Sequence, residues 1–317
     1  MDNDLLKTAS PIEFALSDVP DDLFRRASFD EDEAEALSPH VSYWSDVWRR
    51  FFENKSAVVF LTVFIIILLG CYIIPLVSPL PITGIIDDSI NAKMSSSHWL
   101  GADKFGHDFF TKMWKGGQIS FMVGFVSAIL QTIIGVIIGA VSAYAGGRVD
   151  SVIMSIVNVL IAIPYLVIVL AIRVVAGAGT ATIIFALVIT GWLNVARLTR
   201  GQILQLKTEE YVTAAKSMGV GARTILARHL IPNTLGVILV AFTLAIPQAM
   251  FSEAFLSFIG LGTNAVSWGS LIRAGMDVRF KHPQQLIAPS ILLALTMLCV
   301  QLIGDTLRDA LDPKLRR

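Results

Sequence analysis

The sequence predicts an all-α integral membrane protein with six transmembrane helices. Hydrophobic residues make up 54% of the 317-residue chain and charged residues only 16%, against roughly 45–50% and about 25% in ordinary soluble domains. The mean hydropathy is +0.67, and six stretches stay apolar for the roughly 20 residues that a helix needs to cross the hydrocarbon core. The formal net charge is +0, so no overall electrostatic field would attract nucleic acid or an acidic substrate.

The first predicted domain is a cytoplasmic N-terminal tail, residues 1–55. Its acidic run, "DEDEAEA", is typical of a disordered linker. An interfacial amphipathic helix is expected at about 41–54, where aromatic residues recur at helical spacing beside two arginines. These aromatic residues are Trp44, Trp48, Phe51 and Phe52. Because a long polar segment precedes the first apolar stretch, we expect no cleavable signal peptide and a first span that stays in the membrane.

The second predicted domain, residues 56–317, contains the six spans. An even number of spans places both termini on one side of the membrane, and that side carries 17 of the 25 Lys and Arg residues. Since basic residues are in excess on cytoplasmic loops, both termini and the long loop 197–233 are predicted to be cytoplasmic. The approximate spans are 57–77, 119–145, 152–172, 180–196, 234–260 and 286–304.

The loop between the fourth and fifth spans contains the polar, basic segment "YVTAAKSMGVGARTILARHLIPN". Thr208 is in position to cap a helix that carries a short apolar stripe. Gly219 and Gly221 should break this helix, and a second helix should end at Pro232. The expected product is two short helices joined at a glycine corner. The stripe consists of Tyr211, Ala215 and Met218.

Three interpretations of this loop compete. An amphipathic loop that rests on the membrane needs no partner. The glycine corner is also typical of a DNA-binding helix-turn-helix, but both ends run into membrane spans and only about six basic residues are available. We therefore expect no nucleic-acid partner. The third interpretation is a docking element that presents its apolar stripe to a groove on a soluble partner.

The same segment resembles the cytoplasmic docking loop of ABC importer permeases. The signature of that loop is Glu-Ala-Ala, three residues, Gly, nine residues, then Ile-x-Leu-Pro. The chain matches it at Ala214, Ala215, Gly219 and Pro232. It departs from it at Thr213, His229 and Ile231, which replace Glu, Ile and Leu. These departures resemble the peptide-importer branch of the family.

Four further blocks resemble that branch in the same order. The segment "HWLGADKFGHDFFTKMWKGGQIS" is similar to an extracytoplasmic His-x-Leu-Gly-Thr-Asp-x-x-Gly-Arg-Asp motif, with Ala102 in place of Thr and His107 in place of Arg. The other blocks are "AYAGGRVDSVIM", "SEAFLSFIGLGTNAVSWGSLI" and "GDTLRDALDPKLRR". The resemblance covers about residues 55–317 and implies the type I ABC importer permease fold.

The resemblance also implies a function and a set of partners. The chain would be a non-catalytic permease of a bacterial-type plasma (inner) membrane, paired with a second homologous permease. Two cytoplasmic ATPases would bind the ATP and magnesium, and an extracytoplasmic binding protein would deliver di- or oligopeptides. In some relatives the cargo is a nickel complex, and this alternative stays open. The apolar stripe and the matched positions of the signature together give the predicted docking residues, which are Tyr211, Ala214, Ala215, Met218, Gly219 and Pro232.

Several nucleotide-binding, metal-binding and catalytic motifs are missing from the sequence. It contains no G-x-x-x-x-G-K-[ST] phosphate loop, so we expect no nucleotide or other cofactor in this chain. No H-E-x-x-H motif or paired histidines predict a metal site, and no catalytic residue is expected. An ion-coupled secondary carrier is the alternative mechanism, but it needs ionisable groups inside the spans. Apart from residues at span boundaries, Glu253 is the only candidate.

Polar residues and prolines inside the spans predict the translocation path. Gln131 is a carboxamide at membrane depth, and Pro164 and Pro289 are places where a span can kink. The alternative, that each amide bonds only a neighbouring helix, stays open, and Glu253 is either a packing partner or part of an outer gate. Gly135 and Gly139 form a small-residue face typical of close helix packing. The path candidates are Asn158, Pro247, Gln248 and Glu253.

Overall fold

The computed structural model describes residues 43–80, 84–86 and 89–311, and its regular elements are helices. The chain divides into a unit Met1–Asp46, of which little is described, and a unit Val47–Arg317 that holds the helix bundle. Residues 41 and 42 of the expected interfacial helix lie outside the described part. The helices are α1 (Tyr43–Glu53), α2 (Lys55–Val77), α3 (Phe109–Ala145), α4 (Gly147–Ala162), α5 (Tyr165–Ala176), α6 (Thr180–Leu206), α7 (Glu210–Ser217), α8 (Ala222–Phe258), α9 (Trp268–Asp277) and α10 (Gln284–Leu311).

Five helices are long and apolar enough to cross a membrane: α2, α3, α6, α8 and α10. The pair α4 and α5 meets the same criterion only when taken together, and it is bent by 87°. The predicted span at 152–172 is therefore formed by two helices, and it is bent at Pro164, where the sequence allows a kink. The break falls at Ile163, whose extended backbone is the conformation that a following proline favours. Pro164 then occupies the position that caps α5.

The spans extend beyond the apolar stretches from which they were predicted. α3 begins at Phe109 rather than near residue 119, because Asp108 caps it by accepting a hydrogen bond from the Thr111 backbone N–H at 2.8 Å. α6 continues to Leu206, so the first ten residues of the predicted loop 197–233 are helical. Hydropathy marks only the part of a helix that lies in hydrocarbon, and these helices project past it.

The main contact of the bundle joins α3 and α6 through the predicted glycine face. A Cβ atom at Gly135 would lie 2.5 Å from Cβ of Val195, and one at Gly139 would lie 2.4 Å from the carbonyl oxygen of Ala196. No side chain fits in these places, so the glycines let the two backbones approach closely. The predicted packing role of Gly135 and Gly139 is confirmed.

The two ends of the bundle are closed by different elements. At the end that carries α9, Trp268 is fully buried against Phe109 and Phe121 of α3, and its indole N–H donates to the Met113 carbonyl at 2.9 Å. At the other end, α7 packs on the last turns of α3 and α6. We call these the α9 end and the α7 end.

The short helix α1 does not expose all of its aromatic residues. Phe51 is 3% exposed, whereas Trp48 and Phe52 are 52% and 53% exposed and stack with ring centroids 6.0 Å apart. The expectation that Phe51 shares the exposed aromatic face is wrong. Phe51 and Val47 turn inward together because they are four residues apart on one side of the helix.

Candidate functional site

The glycine corner after α7 forms as the sequence predicts. Gly219 has φ +78°, a left-handed conformation that side chains rarely adopt. Its N–H donates to the Lys216 carbonyl at 2.9 Å, and the Val220 N–H reaches back to Ala215 at 3.1 Å, so the last carbonyls of α7 are satisfied. Nothing lies within 4 Å of the Cβ position of Gly219. The backbone conformation, rather than crowding, therefore requires glycine here.

Two predicted helix boundaries at the α7 end are wrong. The cap position of α7 is Glu209, whose side chain makes no capping hydrogen bond, while the Thr208 hydroxyl donates to the Gln205 carbonyl at 2.8 Å. Pro232 does not end a helix, because α8 runs through it from Ala222 to Phe258. A π-helical turn at Leu226–Leu230 precedes Pro232, which then lies in the first turn of an α-helix where its missing N–H is not needed.

α7 has one buried and one exposed face. Val212 and Ala215 are 0% and 4% exposed. They pack in a cluster with residues of three other helices: Ala140, Ala143, Ile203, Ile225 and Leu230. The prediction that Ala215 belongs to the exposed apolar stripe is therefore wrong, because its side chain packs inside this cluster.

The exposed face of α7 contains Tyr211, Ala214 and Met218, at positions i, i+3 and i+7. Met218 is 76% exposed and Tyr211 is 40% exposed. The Tyr211 hydroxyl accepts a hydrogen bond from Nδ2 of Asn233 at 3.3 Å, which ties the face to the start of α8. The face is thus apolar, open and held in position.

Charged side chains join α7 to the spans beside it. Nζ of Lys207, the last residue before the turn to α7, donates to the carbonyls of Ala143 at 3.2 Å and Tyr144 at 2.8 Å. These are carbonyls at the end of α3 that have no partner within the helix. Nearby, Arg200 of α6 donates to both carboxylate oxygens of Asp150 in α4, at 2.6 and 2.5 Å. The result is a rigid joint between α3, α4, α6 and α7.

A chamber of about 470 Å³ lies farther along the same helices, and its lining is largely apolar by area with several uncharged polar groups. Its lining comes from α3, α5, α6 and α8, and it contains aromatic and uncharged polar side chains. None of its lining residues is Asp, Glu, Lys, Arg or His. The polar and aromatic members are Gln131, Tyr165, Thr190, Asn194, Gln248, Phe251, Ser252 and Phe255.

The predicted path residues separate in the structure. Gln248 lines the chamber, and Pro247 is buried next to it inside α8. Asn158 lies on an exposed face of α4 outside the chamber, where its Oδ1 accepts a hydrogen bond from Arg197 at 2.5 Å. Sequence reasoning missed Asn194, which lies two residues before the end of the predicted fourth span. It also missed Tyr165, which the bend at Pro164 brings to the chamber.

Glu253 is fully buried and belongs to a network of hydroxyl groups rather than to the chamber. Its carboxyl group accepts hydrogen bonds from Ser257 at 2.7 Å and from Ser120 of α3 at 3.1 Å. The Ser120 hydroxyl also accepts from the Trp268 backbone N–H at 3.2 Å. The carboxyl therefore joins α3, α8 and α9 at the α9 end, which agrees with the packing interpretation.

The segment before α3 is organised around Asp103. Its carboxylate accepts hydrogen bonds from the backbone N–H groups of Phe105 at 2.8 Å and His107 at 3.0 Å, and from Nζ of Lys112. Burial raises the pKa of Asp103, but the Lys112 bond and charge and the two backbone bonds outweigh it and hold the pKa below its ordinary value. His107, where the resembled motif has Arg, donates from Nε2 to the Gly84 carbonyl at 2.6 Å.

Comparison with known proteins identifies the family. Residues 131–317 match the family described as "Binding-protein-dependent transport system inner membrane component", and residues 42–93 match the "N-terminal TM domain of oligopeptide transport permease C". The chain belongs to this family. It is a multi-pass permease of the inner membrane, the non-catalytic subunit of an ABC importer, and permeases of this family act with an ATPase and a binding protein.

Relatives of the permease share nearly its whole length. It is 42% identical to the dipeptide transport system permease protein DppC of Bacillus subtilis, over 94% of this chain and 95% of that one. It is 40% identical to the oligopeptide transport system permease protein OppC of the same organism, over 95% and 100%. The glutathione transport system permease protein GsiD of Pectobacterium atrosepticum is 35% identical, over 86% and 92%.

A solved structure confirms the predicted fold of the permease. A chain of the MetNI methionine ABC transporter, in an inward-facing conformation, superimposes with a TM-score of 0.54. The likeness covers 63% of this permease and 96% of that chain, at 19% sequence identity. The all-α, type I ABC importer permease fold is therefore the fold of this chain.

Proposed function

We propose that this permease imports di- or oligopeptides that an extracytoplasmic binding protein delivers, together with a second homologous permease and two cytoplasmic ATPases. One structural observation carries the mechanism. The three helices that hold the buried face of α7, namely α3, α6 and α8, also line the chamber. A displacement of α7 is therefore transmitted directly to the chamber walls.

The α7 end is the cytoplasmic end in this proposal. The loops at that end, with both termini, carry 17 of the 25 Lys and Arg residues, and basic residues favour the cytoplasmic side. The acidic tail and the predicted domain boundary near residue 55 then also lie in the cytoplasm. The α9 end, with Asp103 and Trp268, faces the binding protein.

The docking residues have different roles in the proposal. Tyr211, Ala214 and Met218 form the exposed face that enters a groove on an ATPase, as an apolar helix face does in peptide recognition. Gly219 sets the corner that fixes the length of α7. Ala215 lets α7 lie close to α3, and Pro232 lies in the first full turn of the span that α7 moves.

The proposed cycle uses ATP that the partner ATPases bind and hydrolyse with magnesium. Closure of the two ATPases pushes α7 against the joint formed by Lys207 and the end of α3. The spans then move as stiff bodies, because Gly135 and Gly139 lock α3 to α6. The chamber then opens first to one side of the membrane and afterwards to the other. Movements of loops and domains control access to binding sites in the same way in other proteins.

Peptide as the cargo is supported by the functions of the relatives and by the chamber. The relatives at 42% and 40% identity are a dipeptide and an oligopeptide permease. An uncharged lining of amides, hydroxyls and aromatic rings suits a cargo whose side chains vary and whose backbone does not.

Reconstitution tests the proposed function. The permease, its sister permease, both ATPases and the binding protein are placed in phosphatidylethanolamine and phosphatidylglycerol vesicles with a labelled tripeptide. Accumulation that needs ATP, the binding protein and every subunit is the expected result. Accumulation against a gradient by this permease alone, without ATPases, would show that it is a secondary carrier instead.

A further inference from the structure

Two carboxamides of the chamber have no partner. Asn194 of α6 and Gln248 of α8 line it from different helices, and both are exposed. Neither side-chain carboxamide makes a hydrogen bond within the described part of the chain. Two neighbouring polar side chains have partners: Nε2 of Gln131 donates to the Leu187 carbonyl at 3.1 Å, and the Ser252 hydroxyl donates to the Gln248 carbonyl at 2.9 Å. The buried Tyr165 hydroxyl in the same lining makes no hydrogen bond within the described residues.

Open carboxamides at membrane depth have an energetic consequence. An amide moved from water to an apolar environment without a hydrogen bond costs roughly 2–7 kcal/mol, and the bilayer supplies no partner. Water meets this need while the chamber is empty, and a cargo that displaces the water must supply hydrogen bonds to Asn194 and Gln248 in its place.

The chemistry of the lining selects the occupant. A carboxamide offers two N–H donors and one carbonyl acceptor, which pair with the C=O and N–H of a peptide bond. The lining offers no opposite charge to a free carboxylate or ammonium group. Phe251 and Phe255 supply an apolar wall for side chains, and the volume of about 470 Å³ lies within the usual range of ligand sites.

We propose that the chamber is a binding site for the backbone amides of the cargo, and that Asn194 and Gln248 are the residues that bind them. The proposal rests on the proposed function, because it requires a peptide cargo. Specificity of the permease for peptides would then come from the backbone, while charged termini and side chains are held elsewhere. The permease itself would distinguish a peptide bond from an N-methylated one, which lacks the donor.

The test measures this discrimination in the complete reconstituted transporter. Initial import rates are compared for a tripeptide and its backbone N-methylated analogue, each loaded on saturating binding protein. The ratio of the two rates in a variant is divided by the same ratio in the wild type, so the contribution of the binding protein cancels. The variants are Asn194→Leu, Gln248→Leu and the double variant.

The matched control is Gln301→Leu. Gln301 is an exposed carboxamide of α10 outside the chamber and makes no hydrogen bond within the described residues. We expect the double variant to import the tripeptide about tenfold more slowly, which corresponds to the loss of two net hydrogen bonds. It should also lose the preference for the unmethylated backbone. Gln301→Leu should retain both the rate and the preference.

The outcomes separate the two proposals. Failure of the wild-type complex to import any peptide contradicts the proposed function. If the wild type imports peptide and the double variant keeps both its rate and its preference, the chamber does not bind the backbone. Should the double variant fail to assemble, Gln248→Ser decides, because it removes the carboxamide and keeps a small polar side chain. An unchanged preference in that variant overturns the inference, and a reduced preference supports it.

Discussion

Gln131 of α3 fills the space that the missing side chain of Gly191 leaves on α6. A Cβ atom at Gly191 would lie 2.1 Å from the amide carbon of Gln131. The carboxamide is held there by its bond to the Leu187 carbonyl, at the edge of the chamber. The glycine thus sets the width of the chamber as well as the distance between two helices.

This relationship predicts the effect of Gly191→Ala. The added methyl group forces the Gln131 side chain toward the chamber or separates α3 from α6, at a cost of about 1–3 kcal/mol. We expect a lower melting temperature of the purified complex and slower import of bulky peptides than of small ones. Gly201→Ala is the control on the same helix, since nothing lies within 4 Å of its Cβ position. Equal behaviour of the two variants would contradict the assignment.

The two faces of α7 predict different results for two neighbouring alanines. Ala215→Leu places a larger side chain in a closed cluster, so it should destabilise the permease by about 1–3 kcal/mol. Ala214→Leu changes only the exposed face, so the permease should keep its melting temperature and lose affinity for the ATPases. Thermal unfolding and co-purification of the ATPases measure the two effects. Normal ATPase binding by Ala214→Leu would place the docking face elsewhere.

The sequence predicts where helices bend and end better than it predicts which side of a helix is buried. The bend at Pro164 and the corner at Gly219 follow from the backbone chemistry of proline and glycine, and the structure has both. The direction of Ala215 could not be read from the sequence, because small residues at 211–218 allow two stripes. Only the position of α3 determines which stripe is buried.

The chamber was predicted only in part. Gln248 is visible as a carboxamide within an apolar stretch, whereas Asn194 lies near the end of a predicted span and was not among the predicted path residues. At the α7 end, the sequence predicts that Pro232 ends a helix, but proline is also favourable in the first turn of a helix, and the sequence alone does not distinguish the two positions. The kink at Pro164 was predicted, but its angle of 87° and the position of Tyr165 in the chamber lining could not be read from the sequence.

The conformation of Gly219 predicts the effect of Gly219→Asp. An aspartate at φ +78° strains the corner by about 1 kcal/mol or more and adds a charge beside Met218. We expect loss of ATPase binding and of import, with normal insertion into the membrane. Gly221→Asp adds the same charge two residues away at φ −66°, without strain, and should have a weaker effect. Unchanged transport by Gly219→Asp would remove the corner from the mechanism.

Asp103 predicts a response to acid at the α9 end. Because its pKa in the folded protein lies below the ordinary value of 3.8, its bonds stabilise the fold above that pH. This stabilisation is lost as the pH falls through the lowered pKa. Protection of the amides of residues 101–112 against hydrogen exchange, taken relative to the intrinsic rate at each pH, should therefore fall below about pH 4. Asp103→Asn should show the lower protection already at neutral pH, whereas substitution of the exposed Asp277 should not. Protection in the wild type that stays constant through this pH range would contradict the role of Asp103.

Cross-linking from the exposed face of α7 tests the central claim most directly, namely that this helix docks in an ATPase. Met218 is 76% exposed, and the native thiols Cys71 and Cys299 are fully buried and do not compete for the reagent. A photoreactive maleimide is attached to Met218→Cys and, as the control at the α9 end, to Phe280→Cys, whose native side chain is 88% exposed. In the complete transporter we predict that the probe at position 218 labels an ATPase and that the probe at position 280 does not. Labelling of the binding protein from position 218, or of an ATPase from position 280 alone, would contradict the account.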